Sequence, residues 1–184
     1  MGKLYQELTP DLIQFISDQH LFFVGTAPLS GEGHVNISPK GMDSLSVLNN
    51  KTIAYLDVTG SGVETIAHLK ENSRLVMMFC AFEGKPFILR LHGKGSVIEA
   101  SDKRFTELRT HFPDLPGVRS IITLDIDRIA DSCGWNVPLY SFEGTRDYYH
   151  NYAEKLGPEG IRAGQLDANM TSIDDLPGLN EPSM

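Results

Sequence analysis

The chain is poor in the residues that would place it in several large functional classes. It has only two cysteines, Cys80 inside an apolar run and Cys133 before a glycine, which supports neither a disulfide framework nor a metal centre of paired cysteine spacing. Its six histidines are scattered, and none sits at metal-ligand spacing from another. Basic residues are outnumbered: 16 Lys and Arg against 24 Asp and Glu give a formal charge of -8 and a sequence pI near 5.2. No dense basic run offsets this, so the electrostatic footprint that nucleic acid or an anionic membrane surface requires is missing. No apolar stretch approaches the roughly 20 residues of a membrane span. Residues 1–10 carry no apolar segment of the secretory kind. A soluble, cytoplasmic protein is expected.

What is present suits one filled core. With 184 residues, 41% of them hydrophobic, a single domain is expected over residues 1–184, with an irregular tail from about residue 158. Thr9-Pro10-Asp11 reads as an N-cap, a proline in the first turn and an acidic start to a short helix. Residues 21–26 and 52–58 read as strands rich in β-formers, and 74–82 with 87–100 as a long hairpin across a Glu83-Gly84-Lys85-Pro86 turn. Gly93 and Gly95 predict a bulge or bend within that hairpin. Residues 120–132 alternate as another strand, and helices are expected near 63–72, 102–112 and 144–157. Six strands joined mostly by turns, with peripheral helices, favour a mainly β fold, a small β-barrel, over an alternating α/β sheet.

Three features bear on chemistry. HVNISPKG, residues 34–41, alternates Val35 and Ile37 with Asn36, Ser38 and Lys40, so a strand here buries the apolar pair and turns a hydrogen-bonding, cationic row the other way. Arg90, His92 and Lys94 alternate on a later strand, and the two rows could converge in a barrel around an anion. The alternative is an ordinary solvated strand face. TGSG, residues 59–62, precedes a helix, where unpaired N–H groups and the positive dipole end accept phosphate, with Ser61 and Thr65 able to add hydroxyls. Ser61-Gly62-Val63-Glu64 also fits a capping box, which satisfies those donors with no ligand and which the four residues taken alone favour. SCGWNVP, residues 132–138, sets the only tryptophan in a loop, where core packing competes with a cofactor wall. His68 is read as a packing residue on its helix, and Cys133 has no histidine partner in any motif. No catalytic side chain and no metal ligand set can be singled out.

Taken in order, HVNISPKG, YLDVTGSGVETIAHLKEN, RLVMMFCAFEG, FILRLHGKG, SCGWNVP, YSFEGTRD and NMTSIDDLPGL resemble the pyridoxamine 5'-phosphate oxidase-like family of FMN-binding split barrels. The resemblance implies a six-stranded split β-barrel that forms a homodimer with FMN at the subunit interface. It implies that Asn36, Ser38 and Lys40 line the flavin and its ribityl phosphate, that Ser61, Gly62 and Thr65 hold the phosphate, and that Arg90 adds a second cation. Trp135 and Val137 would come from the partner to border the isoalloxazine ring. The family's Ser-Arg-Lys phosphate signature is replaced here by Ser61-Gly62-Val63, and its late Arg-x-His substrate motif is not evident, so oxidation of vitamin B6 is not implied. The implied activity is that of an FMN-dependent oxidoreductase with an unassigned small substrate. A non-catalytic flavin-binding or flavin-sensing protein, or a haem- or deazaflavin-binding barrel, is the alternative.

Overall fold

The computed structural model describes residues 2–180. Eight strands and four helices occur among them: β1 (Leu4–Tyr5), α1 (Pro10–Ser17), β2 (Phe22–Thr26), β3 (Asn36–Lys40), β4 (Leu45–Asn49), β5 (Thr52–Val58), α2 (Glu64–Asn72), β6 (Arg74–Cys80), β7 (Ile88–Glu99), α3 (Phe105–Arg109), β8 (Val118–Ser132) and α4 (Tyr148–Ala168). The mainly β expectation holds, while the count of six strands does not. β1 is two residues long and leaves almost no alternation to read, and β4 is half-buried from Leu45 to Leu48 with no alternation of burial.

All strand pairs are antiparallel and run in the order β3-β2-β6-β7-β8-β5-β4, with β1 added on β8. The hydrogen-bonded path ends at β3 and β4, so the sheet is open. It curls strongly, because Lys40 on β3 reaches Asp57 on β5. Right-handed strand twist and the register shift between His92 and Gly93 supply the bend. A Cβ at Gly93 would lie 2.0 Å from the Asp125 carbonyl oxygen, so only glycine lets β7 approach β8 this closely.

Inside the curl, Phe22, Val24, Tyr55, Met77, Phe79, Leu89, Leu91, Ile122 and Leu124 form the main core. A smaller cluster on the opposite face of β5, β7 and β8 packs Ala54, Leu56, Ile98 and Ile121 against the α3 region. β5 is therefore covered on both faces, which explains its unbroken apolar run. Thr9 caps α1 as expected, accepting from the Leu12 amide at 3.3 Å. The capping box at Ser61 does not form: α2 starts at Glu64 with Val63 at the N-cap and no side-chain cap bond. The C-terminal region is more regular than expected, since α4 continues to Ala168. Gly157 (φ +63°) breaks it and Pro158 restarts it, so helix was hidden behind the two residues that normally signal its end.

Candidate functional site

The polar row of β3 faces inward. Paired residues on neighbouring antiparallel strands share a face, and Phe22, Val24 and Thr26, all buried, pair with Lys40, Ser38 and Asn36. Val35 and Ile37, expected to be buried, are instead 72% and 70% exposed. The row lines a cavity of about 350 Å³ together with Leu56 and Val58 of β5, the 59–62 loop, Thr65 and Arg119.

Asp57 anchors the cavity wall. Its carboxylate is fully buried and accepts from Lys40 Nζ at 2.9 Å on Oδ1 and from Arg119 Nε at 2.7 Å on Oδ2. Arg119 also donates through Nη1 to the Gly62 carbonyl at 2.8 Å, tying the TGSG loop to β8. Burial pushes the Asp57 carboxyl up, but the Arg119 guanidinium and the Lys40 ammonium outweigh it and hold the group below the usual carboxylate range. Arg119 is 5% exposed and is consumed by this buried pair, whereas the Lys40 side chain is 19% exposed and keeps a cationic face toward the cavity. Sequence reading missed both Asp57 and Arg119. The available signal was an aspartate inside a buried apolar strand, which requires a cationic partner somewhere in the chain.

The remaining polar residues form one chain of hydrogen bonds. Asn36 Nδ2 donates to Thr26 Oγ1 at 3.1 Å and to Thr65 Oγ1 at 3.0 Å, and Ser38 Oγ donates to Asn36 Oδ1 at 3.1 Å. Thr26 Oγ1 lies 2.9 Å from Nδ1 of His68, which is fully buried on α2. Burial holds the His68 ring below the usual histidine range and keeps it neutral.

The TGSG loop is held from behind by α4. Gln165 Nε2 donates to Thr59 Oγ1 at 2.7 Å, Asn169 Nδ2 donates to the Gly60 carbonyl at 2.9 Å, and Thr59 in turn donates to the Gly117 carbonyl at 2.8 Å. Tyr149 of α4 lines the cavity beside Leu115. With no side-chain cap on α2, the first-turn N–H groups beside this loop are left for another acceptor. Ser61 is exposed at the cavity mouth.

Not every expected residue converges here. Through the register, Arg90 pairs with Met78, which pairs with Phe23, so it lies on the outer face of the sheet and donates to Ser132 Oγ at 2.9 Å. His92 shares that face through Val76. The two cationic rows therefore sit on opposite faces and do not meet within one chain. Trp135 is 80% exposed in the 133–147 loop, Val137 is half-buried, and neither lines the cavity. No cluster of three or more metal-ligating side chains occurs among the described residues, and no helix among them is long and apolar enough to cross a membrane.

A family model described as Pyridoxamine 5'-phosphate oxidase matches residues 8–133, the stretch that carries every strand but β1. A pyridoxamine 5'-phosphate oxidase family protein of Aspergillus flavus, ustO, is 39% identical over 197 residues, an alignment that takes in 98% of this chain and 79% of the relative. Among solved structures, HupZ of Group A Streptococcus superposes with a TM-score of 0.53 at 18% identity, over 72% of this chain and 98% of that one, a likeness of fold.

Proposed function

Because the chain belongs to the pyridoxamine 5'-phosphate oxidase family, we propose that it is a cytoplasmic, FMN-dependent oxidoreductase that works as a homodimer on a small molecule. The observation that carries the reading is the cavity where Lys40, Thr65 and the uncapped start of α2 converge. This donor set fits a phosphate monoester: a partly exposed ammonium, a hydroxyl and unpaired backbone N–H groups at a positive dipole end. A Cβ at Gly60 would meet nothing within 4 Å, so the loop also leaves room for the ligand.

In this reading Lys40 supplies the cation that the Ser61-Gly62-Val63 sequence does not, with Ser61 and the Gly62 backbone closing the phosphate site. Asn36 and Ser38 hydrogen-bond the ribityl chain and the polar edge of the ring. Bound FMN supplies the hydride chemistry, since the cofactor carries the electrons and the protein contributes orientation and charge. The Lys40 ammonium favours negative charge that develops on the cofactor side of the cavity. The Asp57–Arg119 pair keeps the wall rigid without adding net charge.

The outer face supports the dimer. An antiparallel sheet with one solvated face should be polar there, yet Phe23, Ile37, Pro39, Val76 and Met78 lie next to one another across β3, β2 and β6. A second subunit seated on this patch covers it, brings Arg90 toward the partner's cavity, and lets Trp135 and Val137 border the partner's isoalloxazine ring.

The test is an absorbance and fluorescence scan of the purified protein, followed by heat release of the chromophore and its identification by mass. Released FMN is the expected result. A Soret band would replace the reading with a haem protein, and a colourless protein that does not bind added FMN would overturn it. Bound FMN with no turnover toward any electron donor would retain the site and remove the enzyme.

A further inference from the structure

His68 is fully buried behind the β3 row, and it terminates the hydrogen-bond chain that lines the cavity. The chain has two self-consistent directions. In one, Asn36 spends both amide protons on Thr26 and Thr65 and accepts from Ser38, as the amide is oriented here. Thr26 accepts from Asn36, and the proton of this buried hydroxyl finds its acceptor in His68 Nδ1, 2.9 Å away, when that nitrogen is unprotonated. The Thr65 hydroxyl proton is used by none of these bonds and is open to the cavity or to the buried Tyr55 phenol oxygen within its reach. In the other direction Nδ1 carries a proton and gives it to Thr26, both threonines donate to the Asn36 carbonyl oxygen, and the amide donates to Ser38. The Thr65 proton is then consumed, and the free proton belongs to Ser38.

We propose that His68 is a positioning residue: with its proton on Nε2 and Nδ1 accepting from Thr26, it fixes the direction of this chain so that Thr65, at the start of α2, offers its hydroxyl proton to the cofactor's anionic end. This rests on the FMN reading above. Nε2 itself is buried and has no hydrogen-bond partner among the described residues, so nothing but Thr26 selects the tautomer. Asp174, Glu64 and Glu71 face the ring with negative charge and Arg74 with positive charge. Protonating Nδ1 reverses the chain and removes the Thr65 proton from the ligand.

The first measurement is a long-range nitrogen–proton NMR spectrum of FMN-free wild-type protein at neutral pH. A neutral His68 ring protonated on Nε2 is expected, and a ring protonated on Nδ1, or doubly protonated, overturns the inference whether or not the protein binds FMN. The second compares FMN affinity in His68→Asn and His68→Leu. Asparagine places its carbonyl oxygen about where Nδ1 stands and keeps the acceptor for Thr26, so its affinity should stay within about threefold of wild type. Leucine removes the acceptor and should weaken FMN about tenfold, the loss of one oriented hydrogen bond. Equal affinities in the two variants would overturn the inference. As pH falls, wild type should lose affinity faster than His68→Asn, because the titration of the phosphate is common to both; parallel profiles would also overturn it. Wild-type protein that binds no FMN would instead remove the flavin reading and leave the tautomer result standing on its own.

Discussion

Replacing Asp57 with asparagine removes the one negative charge that two cations share. Arg119 is 5% exposed, so the variant strands a buried guanidinium with only the Gly62 carbonyl and a neutral amide to face. Breaking a buried pair from one side costs about 3 to 5 kcal/mol, a large share of the roughly 5 to 15 kcal/mol that keeps a domain folded. Arg119→Met should cost less, because Lys40 at 2.9 Å still neutralises the carboxylate. Lys40→Met should cost least, about 1 kcal/mol or below, since its side chain reaches solvent and Arg119 remains paired. The double variant Asp57→Asn/Arg119→Met strands neither charge, so its cost should fall short of the sum of the singles by about 2 to 3 kcal/mol. Urea unfolding of FMN-free protein near neutral pH, followed by circular dichroism, measures all four. Additive single and double values, or a larger loss for Lys40→Met than for Asp57→Asn, would refute the assignment of Asp57 and Arg119 as one buried unit with Lys40 as the more exposed partner that faces the cavity.

Lys40→Ala should weaken FMN binding by on the order of 1.5 to 3 kcal/mol, the value of a charge-assisted bond to phosphate; an unchanged fluorescence titration would remove Lys40 from the site. The hydrogen bond to Asp131 pushes Tyr5 up to about 12, burial pushes Tyr149 up to about 12, and burial drives Tyr55 well above its ordinary value. A phenol whose native pKa is raised loses its contribution as pH climbs from the unfolded value near 10. Stability should therefore fall between about pH 10 and 12, with phenolate absorbance still rising at the upper end; a titration complete by about pH 11 would contradict these environments. Gly93→Ala should destabilise by about 1 to 3 kcal/mol, because its Cβ meets the Asp125 backbone rather than a side chain that can move; a midpoint in urea equal to wild type would show that β7 can part from β8 there.

The elements that could be read from sequence are those whose local signals agree with their tertiary role. Thr9-Pro10-Asp11 opens α1 as written, and Gly93 marks a real bulge. The readings that failed are those where tertiary context overrode a local rule. Ser61 has the spacing of a cap, but the TGSG loop is held by Arg119, Gln165 and Asn169, and Val63 takes the N-cap position with no side-chain cap bond. Gly157-Pro158 reads as a helix stop, yet the chain only bends there, because a proline suits the first turn of a restarted helix. Arg119 was invisible as a site residue because nothing local separates a buried arginine from a solvated one at the head of a strand. Its meaning comes from Asp57, 62 residues away in sequence.

The inverted face of β3 is the most instructive of these failures. A period of two states which side chains share a face and leaves open which face is inside. Val35 and Ile37 looked buried because apolar residues usually are, and in the single chain they are not. The register decides it: Lys40, Ser38 and Asn36 pair with Phe22, Val24 and Thr26, whose burial is fixed by the core, so the polar residues must follow them inward. A strand that turns its polar side to the interior and its apolar side to water is unfavourable twice over unless each face has a counterpart. The hydrogen-bond chain through Thr26, Thr65 and the Asp57 pair answers part of the inward demand, and the free face of Lys40 is what remains for a ligand. In the proposed dimer the outward demand is met by burial against the second subunit. Ile37→Glu should therefore leave the isolated fold intact, because the side chain is 70% exposed in the single chain, while shifting the mass measured by sedimentation from dimer toward monomer. If Ile37→Glu sediments as wild type does, β3 is not the edge that the partner covers, and the site must be completed from elsewhere.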